Sequence, residues 1–351
     1  MKLRAPSFWW QDFHPDASAA DLFALKLLTS FGTLYGGVAG RRMVRSGIRL
    51  PIPVLCVGNF VVGGAGKTPA AIALGKRLAG SGENVFFVSR GYHSSAEHGR
   101  PLRVDALRHG AAEVGDEALL LVQVAPTILC ADRVAAGRLA VEQGASVLIL
   151  DDGLQNPALE KDMRLAIVDA ATGIGNGLCL PAGPLRAPLS VQIEFVTAVV
   201  IVGAGTPGAE IAERARAAGK PVLTAELTPD AAIAARLKGQ RVYAFAGLAR
   251  PEKFYATLAD LGAEIVGTAS FPDHHLYRRA EMTSLQRAAR GENALLVTTE
   301  KDLIRLAGRS DMIDPDLPPP IALPVEMRFS DARPLEALLA AATHGGALSG
   351  H

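Results

Sequence analysis

The chain has little cysteine: Cys56, Cys130 and Cys179, an odd number without a CxxC pair. That spacing argues against a zinc site or a disulfide framework and for a reducing compartment. Aromatic residues interleaved with basic ones are missing, as is a basic tail, which argues against a nucleic-acid binder. No residue between Asp21 and Glu83 is acidic, whereas Lys26, Arg41, Arg42, Arg45, Arg49, Lys67, Lys76 and Arg77 all fall there. A one-signed stretch of that length, hidden inside a net charge of +1, favours an anionic neighbour, whether nucleotide, phospholipid or nucleic acid. A long uninterrupted apolar run is lacking too. The run from Leu22 to Val38 is broken by Lys26 and three glycines and has no small-residue cleavage site after a basic start, so it reads neither as a signal peptide nor as a good spanning helix. It fits an interfacial helix, with Leu22, Leu25, Leu28 and Phe31 at helical spacing, a basic end, and Phe8, Trp9 and Trp10 nearby.

What is present is a chain of 351 residues, 49% hydrophobic and 20% charged, long enough for two domains with their own cores. Beyond residue 50, strands and helices alternate. "IPVLCVG", "NVFFVSRG", "TILCA", "SVLILDDG", "RLAIVDA" and "AVVIVGAG" are near-continuous apolar runs, the mark of strands buried on both faces of a mainly parallel sheet. A second α/β pattern begins around "KGQRVYAFAG", and the Pro-rich "DPDLPPP" precedes a last strand and helix. The expected organisation is an N-terminal apolar and basic helix region over 1–50, a P-loop NTPase-like α/β core over 51–230, a smaller α/β domain over 231–335, and a terminal helix and tail over 336–351.

The most informative stretch is "VLCVGNFVVGGAGKTPAAIALGKRL", a buried strand, a glycine cluster, Lys-Thr, then an Ala/Leu-rich helix. Glycines let backbone N–H groups face a phosphate, and the helix N-terminus adds partial positive charge. Val61 stands where G-x-x-x-x-G-K-[ST] has its first glycine, yet Val61, Val62, Gly63, Gly64, Ala65, Gly66, Lys67 and Thr68 keep the physics of the cradle. Lys67 is expected on the β/γ-phosphates of ATP and the Thr68 hydroxyl on Mg²⁺. The loop is similar to the variant cradle of the iron-protein and septum-site ATPases, whose signature lysine is replaced here by Val62. "SVLILDDGLQN" supplies the second metal anchor, Asp151 and Asp152, at a strand's C-terminal edge, with the choice between them open.

Transfer to an alcohol also needs a proton acceptor and cations for the spreading charge. "EVGDEALLL" offers Asp116 and Glu117 at a helix start, and "SFPDHHLY" offers His274 or His275. Arg90, Arg133 and Arg186 lie beside strand ends, where they can converge on an anionic acceptor.

"GNFVVGGAGKTP", "SRGY", "VGDE", "ADR", "DDGLQ", "LPAGPLR", "FPDHH" and "TTEKD" occur in an order that resembles the tetraacyldisaccharide 4'-kinases, over roughly residues 15–335. The resemblance implies an ATP- and Mg²⁺-dependent kinase for the 4'-hydroxyl of a lipid A disaccharide 1-phosphate precursor. Such an enzyme works at the cytoplasmic face of the inner membrane, peripheral or monotopic, with no nucleic acid and no obligate protein partner. It also implies Asp116 as catalytic base with His274 as its partner, brought up by closure of the smaller domain. Glu117, Asp151 and Asp152 fall to the metal, and Arg90, Tyr92, Arg133, Gln155 and Arg186 to the phosphoglycolipid. Two positions depart from the family pattern: Asn156 where many relatives show His, and His93 where Gly is usual. The competing reading is a nucleotide-switch or partitioning ATPase, which needs neither the acidic pair nor the "DHH" segment.

Overall fold

The computed structural model describes residues 6–10, 19–91, 99–307 and 309–344. Two compact units share the chain: 1–89 with 132–227 and 327–351, and 90–131 with 228–326.

In the first unit the buried runs form a parallel sheet. Across it lie Val222–Pro229, Ala198–Val202, Met163–Asp169, Val54–Gly58, Val147–Asp151 and Val85–Ser89, each parallel to its neighbour. Val54–Gly58, Val85–Ser89, Val147–Asp151 and Ala198–Val202 are buried along their whole lengths, as continuous apolar strands covered on both faces must be. The helix Lys67–Gly80 packs so closely that a Cβ on Gly75 would lie 2.4 Å from Phe87 Cζ. Val57 pairs with Asp151, so the glycine loop and the aspartate pair leave neighbouring strand ends at the carboxyl edge, where open α/β sheets place ligands.

The N-terminal helix, Ala19–Met43, belongs to the same unit. It docks through small residues. A Cβ on Gly32 would lie 2.7 Å from the Cys179 carbonyl oxygen, one on Gly36 2.7 Å from Cys179 Sγ, and one on Gly40 3.4 Å from Pro188. The opposite face carries Leu27, Phe31, Leu34, Tyr35 and Val38, all exposed, with Leu34 at 68%. Such an arrangement inverts a soluble protein's usual helix, which buries its large apolar stripe. Of the four residues expected on the apolar face, Phe31 is exposed and Leu28 half-buried, while the side chains of Leu22 and Leu25 lie outside the described residues. Trp9 departs from its expected place among the interfacial aromatics. It is buried, and its indole N–H donates to the Pro181 carbonyl at 3.1 Å, because a tryptophan enclosed by protein needs an acceptor for that group. No helix among the described residues is long and apolar enough to cross a membrane.

The second unit is built on a four-stranded parallel sheet in the order Glu264–Ser270, Arg241–Ala246, Leu295–Thr299, Ile321–Leu323. Alternation along its central strand feeds two cores, with Val242, Ala244 and Ala246 against Leu258 and Val297, and Phe245 against Tyr277, Met282 and Leu285. Residues 90–131 cluster with this unit rather than with the nucleotide core in which the linear reading placed them. They contribute the antiparallel pair Leu102–Arg103 and Thr127–Leu129 and the helices Ala111–Val114 and Asp116–Val122. The physical reason lies at the start of the last helix, where Asp116 and Glu117 form ion pairs with Arg305 and Lys301. The expected terminal helix, Arg333–His344, returns to the first unit, where Glu336 meets Arg77 at 3.3 Å.

Candidate active site

The glycine loop takes the conformation that its composition allows. Gly63 has φ 123° and Gly66 φ 88°, both in the region that side-chain-bearing residues avoid. Gly64 needs neither unusual torsion nor close packing, since a Cβ there would meet nothing within 4 Å. A glycine demanded by neither fold nor packing fits a loop left open for close approach of a ligand. Gly66 also precedes the helix Lys67–Gly80, whose first backbone N–H groups are the partial positive charge that an anion seeks.

Lys67 Nζ donates to the Gly63 carbonyl at 3.1 Å and lies 3.8 Å from Asp152 Oδ2. The Thr68 hydroxyl, buried, donates to Asp151 Oδ2 at 3.2 Å. A hydroxyl and a carboxylate in contact are the hard oxygen donors a magnesium ion takes, and the pair sits directly behind the cradle lysine. Asp152 is committed otherwise. Arg186 grips it with two guanidinium nitrogens, at 2.6 and 2.9 Å, and Arg186 Nε donates to the Val61 carbonyl at 3.1 Å. Burial disfavours the Asp152 charge, yet Lys67 and Arg186 outweigh it and bring the pKa down to about 2. Of the two aspartates left open by sequence, Asp151 is therefore the one placed with Thr68, and Asp152 braces the loop.

Other side chains hold the same loop. Gln155 Nε2 donates to the Asn59 carbonyl at 2.8 Å, and Gln192 Nε2 donates to the Phe60 carbonyl at 3.1 Å. Asn59 itself is fully buried and donates to the Gly63 carbonyl at 3.0 Å. Asn59 and Gln192 were not singled out from sequence, although Asn59 lies inside the quoted motif. Gln155 and Arg186, expected on the acceptor, are bound up in this scaffold. Arg133 is buried at the start of a helix capped by Asp132, and Arg90 is exposed just past the strand Val85–Ser89. Tyr92 and His93 lie outside the described residues. Asn156, at the position where relatives carry His, shapes a turn by accepting from Ala158 N at 2.9 Å.

In the second unit, Asp116 starts its helix and is 5% exposed. His274 Nδ1 lies 3.2 Å from each of its carboxylate oxygens. The two groups belong to one compact unit, so their contact does not await the domain closure expected from sequence. His275 is turned away, with Nε2 3.0 Å from Glu281 and its ring stacked on Phe271, so His274 is the imidazole of the pair that touches Asp116. Burial raises the pKa of Asp116, but the His274 hydrogen bond and the Arg305 and Lys301 charges hold it well below the usual carboxylate range. His274 is raised in return, chiefly by its hydrogen bond to Asp116. Glu117, expected on the metal, pairs with Lys301 at 2.9 Å. Among the described residues, only Asp152, His274 and Asn293 combine a side chain with positive φ. Two of these three are site residues, where strained backbone tends to concentrate.

The family model of tetraacyldisaccharide-1-P 4'-kinase, LpxK, matches residues 24–344. The tetraacyldisaccharide 4'-kinase of Methylobacterium nodulans is 49% identical over 341 residues, 97% of this chain and 96% of the relative. That of Bradyrhizobium sp. strain BTAi1 is 43% identical over 343 residues, 96% of this chain and 95% of the relative. Among solved structures, LpxK from Aquifex aeolicus in complex with ATP superposes with a TM-score of 0.70 at 27% identity, covering 91% of this chain and 99% of that one.

Proposed function

This chain belongs to the tetraacyldisaccharide 4'-kinase family, and on that premise we propose how its two units divide the transfer of a phosphoryl group from ATP to the 4'-hydroxyl of a disaccharide 1-phosphate precursor of lipid A. The first unit holds the nucleotide. Backbone N–H groups of Gly63–Lys67 and the Lys67 ammonium face the phosphates, and Thr68 with Asp151 would hold Mg²⁺, which would shield the phosphate charge when bound. Lys67, now resting on Gly63 O and near Asp152, swings only its terminal atoms to reach a phosphate oxygen.

The second unit supplies the base. The observation that carries this reading is the buried Asp116 carboxylate held against His274. Asp116 takes the proton of the attacking hydroxyl, and His274 keeps the carboxylate oriented and charged. Turnover brings this base, the acceptor hydroxyl and the terminal phosphate together, and exclusion of water there prevents idle hydrolysis. Arg90, Arg133 and Tyr92 serve the anionic acceptor, and Arg186 does so by way of Asp152 and the loop. A nucleotide-switch ATPase has no use for a buried aspartate held against a half-buried histidine, and the family match speaks against it.

The acceptor carries several acyl chains, so the enzyme meets it at a membrane. Support comes from the exposed apolar face of Ala19–Met43 and the exposed Arg41, Arg42 and Arg45 at its end, a combination suited to the anionic cytoplasmic surface of the inner membrane. Transfer of labelled phosphate from ATP to a detergent-dispersed disaccharide lipid 1-phosphate tests the whole reading. Label appears at the 4'-position if it is right; hydrolysis of ATP without labelled lipid refutes it.

A further inference from the structure

The "TTEKD" segment has no role in the scheme above, yet its structure bears on Asp116. Thr299 caps the short helix Glu300–Ile304, and two cations one turn apart, Lys301 and Arg305, meet the two successive acids Glu117 and Asp116. Arg305 is 1% exposed. Its Nε donates to Asp116 Oδ2 at 2.8 Å, and its Nη2 donates to the same oxygen. Nη1 turns the other way, to Asp302 Oδ1 at 2.6 Å and the Gly247 carbonyl at 2.9 Å. Asp302, wholly buried, is fixed in turn by Gly247 N, the Tyr277 hydroxyl and the Thr299 hydroxyl.

The donors on Asp116 are unequally shared. Among the described residues, Oδ2 faces both Arg305 nitrogens and His274, whereas Oδ1 faces the Glu117 amide, at 2.9 Å, and the same shared His274 nitrogen. A carboxylate oxygen has about two lone-pair sites. Oδ2 is therefore filled by Arg305 alone, and Oδ1, with one amide and a shared imidazole nitrogen, is the less heavily engaged oxygen and the one that can exchange a donor for a further hydrogen.

On the reading that Asp116 is the base, we infer that Arg305 is a positioning residue that locks the carboxylate through Oδ2 and so makes Oδ1 the atom that receives the acceptor's proton. In the step, the acceptor O–H bond breaks and its proton passes to Oδ1 as the oxygen bonds to the γ-phosphorus. The bond from that phosphorus to the bridging oxygen breaks, and ADP leaves with the electron pair. The same guanidinium lowers the basicity of Asp116, so the proton moves late, when the attacking oxygen has become acidic through bonding. That timing suits the loose transition state of phosphoryl transfer. The fork geometry matters as well as the charge, because a lysine in its place offers a point charge without two aligned donors.

Removing Arg305 alone leaves Asp116 and Asp302 as adjacent buried charges, which threatens folding. The test therefore uses Arg305→Lys and the charge-balanced pair Asp302→Asn with Arg305→Gln, with thermal melts beside kinetics over pH. Arg305→Lys should lower kcat about tenfold, and the double variant about a hundredfold, the scale of a base displaced by roughly 1 Å, with both KM values within about twofold. The double variant should also show an acid limb in kcat moved upward relative to wild type, as Asp116 loses its cation. Wild type itself should show no carboxylate limb down to about pH 5, a readout that needs no variant. Variants that keep wild-type kcat, or that lose it with an unmoved acid limb or with KM rising in step, overturn the inference, as does a wild-type acid limb near neutrality. Asp116→Asn run in parallel separates the two claims. If it turns over normally, the base reading itself fails; if it is inactive while the Arg305 variants behave as wild type, only the role of Arg305 falls.

Discussion

The two units make their sites in different ways. In the first, the proposed function rests on backbone: a glycine-rich loop, with Gly66 at φ 88°, opens onto a helix N-terminus, and side chains from distant segments brace it. In the second, the proposed function rests on side chains from three separated segments, Asp116, His274 and Arg305, set together in an ion-pair network whose aspartate and arginine are buried. A backbone site tolerates change at many positions but not at its glycines. A side-chain network is sensitive at every member, because removing one partner strands a buried charge.

That contrast can be broken by substitution. The largest effect is expected at the proposed base: Asp116→Ala should lower kcat by ~10²–10⁴-fold while ATP affinity stays near wild type, measured by steady-state kinetics beside nucleotide binding. Equal loss of both would erase the distinction between the units. Stability should respond in the first unit to Gly75→Ala, whose new methyl collides with Phe87; a loss of about 1–3 kcal/mol in denaturant unfolding is expected from overpacking. By contrast Gly64→Ala, in open space, should leave stability within about 0.5 kcal/mol and act on ATP affinity instead.

The second unit alone should carry a particular pH signature. His274 is raised by Asp116, so its contribution to stability is complete below the ordinary 6.5 and disappears as pH rises through its folded value. Asp116 is depressed, so its contribution is present above the ordinary 3.8 and is lost as pH falls toward its folded value. Melting temperatures of wild type and His274→Ala should therefore converge on the alkaline side and diverge as pH drops below neutrality; a constant gap would contradict the pair. The smallest effect is expected at the outer face of the N-terminal helix. Leu34→Ser should weaken binding to anionic vesicles by about 1–2 kcal/mol without changing the melt, as loss of a buried leucine at an interface would.

The two kinds of site also differ in how far they could be read in advance. The cradle was visible because every part of it lies within residues 58–68, and packing alone rarely calls for Gly-Lys-Thr after a buried strand. The mainly parallel sheet was visible in the continuous apolar runs. Asp116 and His274 emerged through short motifs whose order carries the family pattern, although proximity across such a separation is a tertiary fact. Arg305 was missed, since nothing local marks it. The signal that could have found it was the spacing of Lys301 and Arg305, one helical turn apart and matched to the adjacent acids Asp116 and Glu117. The assignment of residues 90–131 to the second unit was hidden for the same reason, because it depends on those ion pairs. Trp9 was misplaced because an aromatic beside an apolar helix gives no hint that its N–H is bound by Pro181.

The most direct test of the division of labour is nucleotide binding by Lys67→Ala and Asp116→Ala, measured by calorimetry on the same preparations used for phosphate transfer. Lys67→Ala should lose ATP affinity, whereas Asp116→Ala should bind ATP as wild type does and transfer phosphate to the disaccharide lipid ~10²–10⁴-fold more slowly. Normal ATP binding by the lysine variant, or normal transfer by the aspartate variant, would contradict that division.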